Sequence, residues 1–169
     1  MAKAASDAER EEELLISTFE LGSEGVFGID ATLIQEVVMV GEITPVRHAA
    51  EYVAGIRNLR GRIITVIDLG VRLGLGAVEV APESRILIAD WKGEPVGLLV
   101  DRVADAVALE PDGLEPAPPN LHGVQMQKLR GVFRSGNRLA ALLDLAVILG
   151  VDDRPGKPLS GEESRGASV

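Results

Sequence analysis

Short apolar runs rich in valine and isoleucine dominate the chain, and most of them are bounded by glycine, proline or aspartate. Runs of this length and composition predict β-strands. Their close spacing and the 19 glycines indicate a small-barrel architecture, because βαβ units would separate the strands by longer helical stretches. The predicted strands are Leu14–Leu21, Val26–Ile29, Ile43–Val46, Ile63–Ile67, Arg85–Trp91, Val96–Val100, Val103–Leu109, Leu129–Phe133 and Leu139–Leu143.

Short helices are predicted where an aspartate follows an apolar run. An aspartate at such a boundary accepts a hydrogen bond from a backbone N–H that the first helical turn leaves unpaired. A further aspartate, Asp101, directly follows an apolar run and is expected to hold a turn in the same way. The predicted helices are Thr32–Val38 after Asp30, Leu69–Leu73 after Asp68 and Leu145–Leu149 after Asp144.

Two segments of the chain repeat one another 76 residues apart. Residues 55–74 read GIRNLRGRIITVIDLGVRLG and residues 131–150 read GVFRSGNRLAALLDLAVILG, with seven of the 20 positions identical. A looser similarity relates residues 28–38 to residues 99–109. Repetition at a fixed spacing predicts two related half-domains of about 70 residues. Residues that both copies share are expected to serve the fold, whereas the tetrad NLRG at 58–61 occurs in one copy and is a candidate for function.

Composition and charge exclude several classes of protein. The 169 residues include no cysteine, which excludes disulfide scaffolds, thiolate zinc sites and cysteine nucleophiles. A net charge of -9 and an aromatic content of 3% argue against binding to nucleic acid. No apolar run approaches the roughly 20 residues that a membrane-spanning helix requires. The composition therefore predicts a soluble, acidic, intracellular module.

Both ends of the chain are predicted to be disordered tails. Residues 1–13 contain five acidic side chains and almost no apolar group larger than alanine. Residues 152–169 combine charge with proline, glycine and serine. Such segments cannot bury enough apolar surface to offset the conformational entropy that folding would cost. The folded domain is therefore expected to span residues 14–151.

The candidate chemistry is limited to four aspartates and one arginine-rich loop. In one hypothesis Asp30, Asp68, Asp101 and Asp144 serve a hydrolase or a small-molecule-binding barrel, which would need two carboxylates within about 5–10 Å in an open pocket. We favour capping, because each aspartate follows a strand-like run. Residues 57–62 contain three arginines, which supply planar donors that are frequent in protein interfaces. This loop is the better candidate for recognition.

A series of motifs follows in one order between Phe19 and Leu149: FELGSEGVFGID, IQEV, PVRHAAEYVAGIRNLRG, ITVIDL, GLLVDRV, an EPAPP linker, RGV and ALLDL. This ordered set resembles the CheW family, the adaptors that join bacterial chemoreceptors to the histidine kinase CheA. The resemblance implies a mostly β fold of two small five-stranded SH3-like β-barrels, packed on a shared core and carrying short helices. It also implies a non-enzymatic protein without a cofactor or a bound metal.

The resemblance further implies three kinds of partner. These are the cytoplasmic tip of a chemoreceptor, the regulatory domain of CheA, and other CheW-like domains in the rings of a receptor array. The implied location is cytoplasmic, at the inner membrane face through receptor arrays, with no membrane insertion and no nucleic acid. A related alternative is a CheW-like adaptor of a non-flagellar chemosensory-type pathway, such as one for surface motility.

Site residues follow from the same resemblance, residue by residue. Glu36 matches the glutamate of the family's V-x-E-[IV] segment, and Arg60 matches the arginine of NLRG. The resemblance implies that both lie at or beside the receptor groove, where Glu36 pairs with Arg60. Ile34 and Val37 are core residues by default, although a solvent-facing aliphatic side chain there would belong to an interface. The residues expected to bind the receptor are Ile34, Glu36, Ile56, Asn58, Leu59 and Arg60.

Overall fold

The computed structural model of the protein describes residues 13–22, 25–121 and 123–150. Within these ranges the chain forms two five-stranded sheets, a two-stranded sheet and a few short helices, which confirms the predicted mostly β, SH3-like fold class. The expected tails, residues 1–13 and 152–169, lie outside the described residues except for Glu13. The domain limits at 14 and 151 therefore stay predictions.

One large sheet is nested within the other along the chain. One sheet, here the central sheet, takes all its strands from residues 34–100. The other, the terminal sheet, takes two strands before that block and three after it. In spatial order the terminal sheet is β11 (Leu129–Ser135), β12 (Arg138–Leu143), β2 (Gly25–Asp30), β1 (Leu14–Leu21) and β8 (Arg102–Leu109). The central sheet is β3 (Ile34–Met39), β6 (Arg85–Trp91), β7 (Glu94–Val100), β5 (Arg62–Asp68) and β4 (Val53–Leu59). The small sheet pairs β9 (Asn120–Leu121) with β10 (Val124–Gln125).

The helices differ in part from the prediction. Helix α1 (Leu69–Arg72) follows β5 and helix α2 (Leu145–Leu149) follows β12, as predicted. The predicted helix Thr32–Val38 is wrong, because a single 3₁₀ turn at Ala31–Leu33 leads directly into β3. In β3 half-buried and exposed side chains alternate, which is the period of a strand at a sheet surface.

Two strand predictions also need correction. The predicted strand Ile43–Val46 forms one isolated β-bridge, between Thr44 and Ile56, and no ladder. Pro45 in its middle cannot donate a backbone hydrogen bond to a neighbouring strand. Strand β4 was not predicted, because glycine, arginine and asparagine interrupt the apolar pattern of VAGIRNL.

The internal repeat corresponds to two equivalent hairpins. Strands β4 and β5 followed by α1 have the same offsets as β11 and β12 followed by α2, 76 residues later. Both hairpins contain a register shift two residues into the first strand, at Val53/Gly55 and at Leu129/Gly131. The second strand of each hairpin pairs in parallel with a further strand, β5 with β7 and β12 with β2. The repeated sequence therefore encodes a repeated unit of strand pairing.

In each sheet a segment that leaves one edge strand crosses to the opposite edge. After β3, the N–H and C=O groups of Thr44 pair with those of Ile56 in β4, at 2.9 and 2.8 Å. After β8, Glu115 pairs with Val132 in β11 in the same manner, at 2.9 and 2.8 Å. These single bridges connect the edges of each sheet, although the strand order of both sheets remains open.

The crossing segments explain why both repeats keep a glycine. A side chain on Gly55, which has φ +150°, would overlap the carbonyl oxygen of Thr44. A Cβ on Gly131 would lie 2.6 Å from the carbonyl oxygen of Glu115. Only glycine lets the crossing backbone approach the hairpin so closely.

The two sheets share most of the hydrophobic core. The larger cluster includes Phe19 and Phe27 from the terminal sheet together with Ile67 and Leu98 from the central sheet, and all four are fully buried. The neighbouring residues along β2 and β12 point to the opposite face, since side chains alternate along a strand. That face holds a smaller cluster of Ile16, Val26, Phe133, Ala140 and Leu142. Both faces of the terminal sheet are therefore packed.

One side chain links the two helices. The Nε of Arg72, at the end of α1, donates a hydrogen bond to the carbonyl oxygen of Ile148 in α2 at 2.8 Å. The same guanidinium lies 4.8 Å from the ring centroid of Tyr52. Arg72 therefore ties the two repeated units together at their helical ends.

Candidate partner-binding surface

The NLRG tetrad forms the tight turn between β4 and β5. Leu59 pairs with Arg62, and the two residues between them have positive φ angles, +51° at Arg60 and +89° at Gly61. Two consecutive positive φ angles define a type I′ turn, which matches the twist of the strands it connects. The Oδ1 of Asn58 accepts a hydrogen bond from the N–H of Gly61 at 2.9 Å. The turn therefore holds Arg60 at the tip of the hairpin.

Glu36 and Arg60 form a hydrogen-bonded ion pair between Oε2 and Nη2. Their side chains are 36% and 67% exposed, respectively. Glu36 lies in β3 and Arg60 follows β4, and these are the two outermost strands of the central sheet. The pair therefore spans the gap between the two edges, as the resemblance implied for these two residues.

The other expected receptor-binding residues occupy different surroundings. Ile34 in β3 and Leu59 in β4 are half-buried and pack against the larger hydrophobic cluster. Ile56 is half-buried in the middle of β4, opposite Thr65. Asn58 is exposed and serves the turn. The structure thus joins Glu36 to Arg60 directly, whereas the role of all six residues in receptor binding stays a prediction.

Exposed aliphatic side chains lie in the edge strand β3 and in β5, which pairs with the other edge strand. Val37 and Met39 in β3 are 43% and 65% exposed, so the default placement of Val37 in the core is wrong. Ile63 in β5 is 61% exposed and lies opposite Asn58. Sequence reasoning named neither Met39 nor Ile63. The signal for Met39 is the alternation of β3, which places it two residues after Val37 on the same face.

Arg57 was also missed as an individual candidate. It lies in β4 opposite the buried Ile64, and its Nε and Nη1 atoms are buried without a hydrogen-bond partner. Most buried polar atoms in folded proteins are hydrogen-bonded, so an arginine in this state needs an explanation.

The four aspartates accept hydrogen bonds from backbone N–H groups. Asp30 accepts from Thr32 at 3.0 Å, and Asp144 accepts from Ala146 and Val147 at 3.1 and 3.3 Å. These contacts confirm the predicted capping at the 3₁₀ turn after β2 and at α2.

The remaining two aspartates also accept hydrogen bonds from backbone groups that are distant in the sequence. Asp68 accepts from Val71 at the start of α1 and also from Val78, both at 3.1 Å. Asp101 accepts from the N–H of Gly22, in the turn after β1, at 2.6 Å. Each aspartate therefore stabilises a loop or a helix end.

A cavity of about 380 Å³ opens on the terminal sheet, and its lining does not match the hydrolase hypothesis. It is lined mainly by apolar side chains such as Leu109 and Phe133, with Glu115 as its one carboxylate. None of the four aspartates lines it. Among the described residues, no group of three or more histidine, cysteine, aspartate or glutamate side chains is arranged to hold a metal ion. In the same part of the chain, no helix has the length and apolar character needed to cross a membrane.

The two nested sheets, the capped loops and the exposed edge residues define a small β-sheet module with charged and aliphatic side chains at its surface. The CheW-like domain model matches residues 16–152. The chain therefore belongs to the CheW-like family, and the predicted identity as a chemotaxis adaptor of the CheW type is confirmed.

Individual relatives agree with this assignment. The chain is 34% identical over 147 residues to "Chemotaxis protein CheW" of Thermotoga maritima, which covers 87% of this chain and 93% of the relative. The crystal structure of the scaffolding protein TtCheW from Thermoanaerobacter tengcongensis superposes with a TM-score of 0.75 at 31% identity, covering 85% of this chain and 92% of that one. A weaker similarity, 25% over 123 residues, relates 72% of the chain to 77% of "Protein FrzA" of Myxococcus xanthus.

Proposed function

We propose that the chain is a non-enzymatic adaptor that couples chemoreceptors to the histidine kinase CheA by binding the receptor tip and the regulatory domain of the kinase. It acts in the cytoplasm, at the inner face of the membrane, through receptor arrays. The observation that supports this function best is the exposed Glu36–Arg60 pair, which spans the two edges of the central sheet.

The resemblance to the CheW family implies a helical hairpin as the receptor tip, and such a partner needs an apolar strip with a charged border. Amphipathic helices bind by laying their apolar face into a hydrophobic groove, while charges at the edge set orientation. Val37, Met39 and Ile63 supply exposed apolar surface on the central sheet. Glu36 and Arg60 supply charges of both signs at the edges of the same sheet. This combination supports the central sheet as the receptor-binding side.

Further contacts with the kinase regulatory domain and with other CheW-like domains complete the proposed assembly. Each contact between two small domains buries limited surface and is individually weak. Linking several such contacts in one array raises the overall affinity without any new contact type. The adaptor therefore acts by holding the receptor and the kinase at a fixed distance and orientation.

Binding measurements with purified components test this function. The chain is titrated separately with a receptor cytoplasmic fragment and with the CheA regulatory domain from the same genome, by isothermal calorimetry. We expect saturable binding to both. An unrelated β-rich protein of similar net charge serves as a control for nonspecific binding. Binding to neither partner would contradict the proposal.

A second candidate is a CheW-like adaptor of another chemosensory-type pathway, such as one that controls surface motility. The similarity to Protein FrzA of Myxococcus xanthus favours keeping this candidate. Deletion of the gene separates the two candidates. Loss of swimming chemotaxis with normal surface movement supports the first pathway, whereas the reverse phenotype supports the second.

A further inference from the structure

Arg57 is charged, whereas the equivalent residue of the second hairpin is a buried phenylalanine. Arg57 pairs with Ile64 across the hairpin, so both side chains lie on one face, and Ile64 is only 2% exposed. The residue 76 positions later is Phe133, which is 2% exposed and belongs to the smaller hydrophobic cluster. It pairs with Ala140, just as Arg57 pairs with Ile64. One backbone position thus holds a core phenylalanine in one sheet and a guanidinium in the other.

The two side chains leave that position in different directions. In the terminal sheet, a Cβ added to Gly28 would lie 3.2 Å from the ring of Phe133, so the ring fills the interior against β2. In the central sheet, a Cβ added to Gly41 would lie 2.7 Å from both Nε and Nη2 of Arg57. Gly41 follows β3 and has a φ of +64°. The guanidinium therefore lies at the gap between the edge strands β3 and β4, which the Glu36–Arg60 pair also spans.

The free chain leaves this guanidinium incompletely bonded. Nε and Nη1 are buried and have no acceptor. A guanidinium has five N–H donors, and leaving charged donors buried without acceptors costs free energy. Replacing a buried charge by a well-packed apolar residue is often stabilising. Because the equivalent position shows that the fold accepts an apolar side chain, stability alone does not account for Arg57.

We propose that Arg57 binds a carboxylate of the receptor tip when the receptor docks across the gap between β3 and β4. This inference rests on the proposed function and adds a specific residue to it. An acidic side chain at this point of the tip neutralises a guanidinium whose Nε and Nη1 have no acceptor in the free chain, so Arg57 favours receptors that carry one.

The local charges favour an acidic partner. Arg57, Arg60 and Arg62 lie on one hairpin, and Arg60 already pairs with Glu36. The hairpin therefore carries an excess of positive charge, although the whole chain has a net charge of -9. A carboxylate that contacts a guanidinium forms a charge-assisted hydrogen bond, which is stronger than one between neutral groups. An acidic side chain at the border of a helical tip would supply such a carboxylate.

The substitution Arg57→Met separates stability from binding. Methionine keeps an unbranched apolar stem and removes the guanidinium. We expect its melting temperature to rise by about 2 °C or more, because two buried donors without acceptors are removed. We expect its affinity for the receptor fragment, measured by isothermal calorimetry, to fall about tenfold or more, because a charge-assisted bond is lost. Arg57→Phe, which copies Phe133, serves as a second variant, and Arg134→Met changes an exposed arginine of the other hairpin as a control.

The outcomes distinguish this inference from the proposed function. The inference is supported if both Arg57 variants are more stable and bind the receptor more weakly, while Arg134→Met shows neither effect. Wild-type receptor binding that both Arg57 variants retain in full would overturn the inference and leave the proposed function intact. A wild-type chain that fails to bind the receptor would overturn both. A lower melting temperature in both Arg57 variants would show that the guanidinium already stabilises the free chain, which would also overturn the inference.

Discussion

Glu36 and Arg60 connect the two edge strands of the central sheet through one exposed ion pair. Exposed pairs of this kind contribute about 0–1 kcal/mol to the free energy of unfolding, because water and salt screen the charges. The bridge between Thr44 and Ile56 already ties the same edges through two backbone hydrogen bonds. The pair is therefore better placed to present charge to a partner than to hold the fold.

Reversing the charge of Arg60 should abolish receptor binding and leave the fold intact. In the variant Arg60→Glu the new carboxylate lies beside that of Glu36, and the two repel each other. The variant also lacks the hydrogen-bond donors of Arg60 that the receptor would contact. The measurement is a pull-down with a receptor cytoplasmic fragment, together with circular dichroism to verify folding. Wild-type recovery of the receptor by this variant would contradict the site assignment.

Lys92→Glu is the matched control for that experiment. Lys92 occupies the same place in a type I′ turn of the same sheet, between β6 and β7, with φ +54° followed by Gly93 at +85°. The substitution makes the same change of charge, at a residue that also has a positive φ, in a different hairpin turn. We expect receptor binding at the wild-type level. Equal losses in both variants would indicate a general effect of charge instead of a site at Arg60.

Neutralising the ion pair should change stability very little. We expect Glu36→Gln, Arg60→Gln and the double variant to define a coupling energy of about 0.5 kcal/mol, as for other exposed pairs. Urea denaturation of the four proteins measures this quantity. A coupling energy of about 3 kcal/mol would show that the pair is a structural clamp.

Adding a methyl group at Gly55 should destabilise the fold strongly. In Gly55→Ala the new Cβ would overlap the carbonyl oxygen of Thr44, so the crossing segment must move or its bridge must break. We expect a loss of about 3 kcal/mol or more in the free energy of unfolding, which combines overlap with backbone strain. Gly74→Ala is the control, because Gly74 also has a positive φ, +81°, but open space around it. Equal losses at both positions would contradict the close-approach explanation.

Removing the carboxylate of Asp68 should cost more stability than removing that of Asp144. Asp68 is 7% exposed and holds the N–H groups of Val71 and Val78, so Asp68→Ala leaves buried donors unpaired. The more accessible Asp144 caps only α2, and water can replace it in Asp144→Ala. We expect losses of about 3 and about 1 kcal/mol, respectively, in urea denaturation. The reverse order would contradict the assigned contacts.

Local signals in the sequence predicted many parts of the fold. An aspartate after a strand-like run marks a cap because the contact lies within three residues, as Asp144 with Val147 illustrates. The repeat predicted equivalent hairpins because the same contacts recur in both copies. By contrast, the crossing of Thr44 to Ile56 depends on residues distant in the chain, and no local pattern indicates it.

The error at β3 has a specific physical cause. Ile34 and Val37 are spaced like one face of a helix, which is the pattern that predicted one. Half-buried and exposed side chains alternate along β3, so Ile34 and Val37 lie on opposite faces and Val37 is an apolar residue on the exposed face. An exposed aliphatic side chain on a strand thus imitates a helical period. The family resemblance located Glu36 and Arg60 correctly as a pair, whereas Arg57 became visible only through its burial.

We propose that one chain holds a receptor and a kinase at the same time, and a bridging experiment tests this most directly. The immobilised CheA regulatory domain is mixed with a receptor cytoplasmic fragment, with and without this chain, and the retained receptor is quantified. We expect receptor retention only when the chain is present, and loss of retention with Arg60→Glu although that variant itself stays bound to the kinase domain. Receptor retention that does not depend on the chain, or no retention in its presence, would contradict the account.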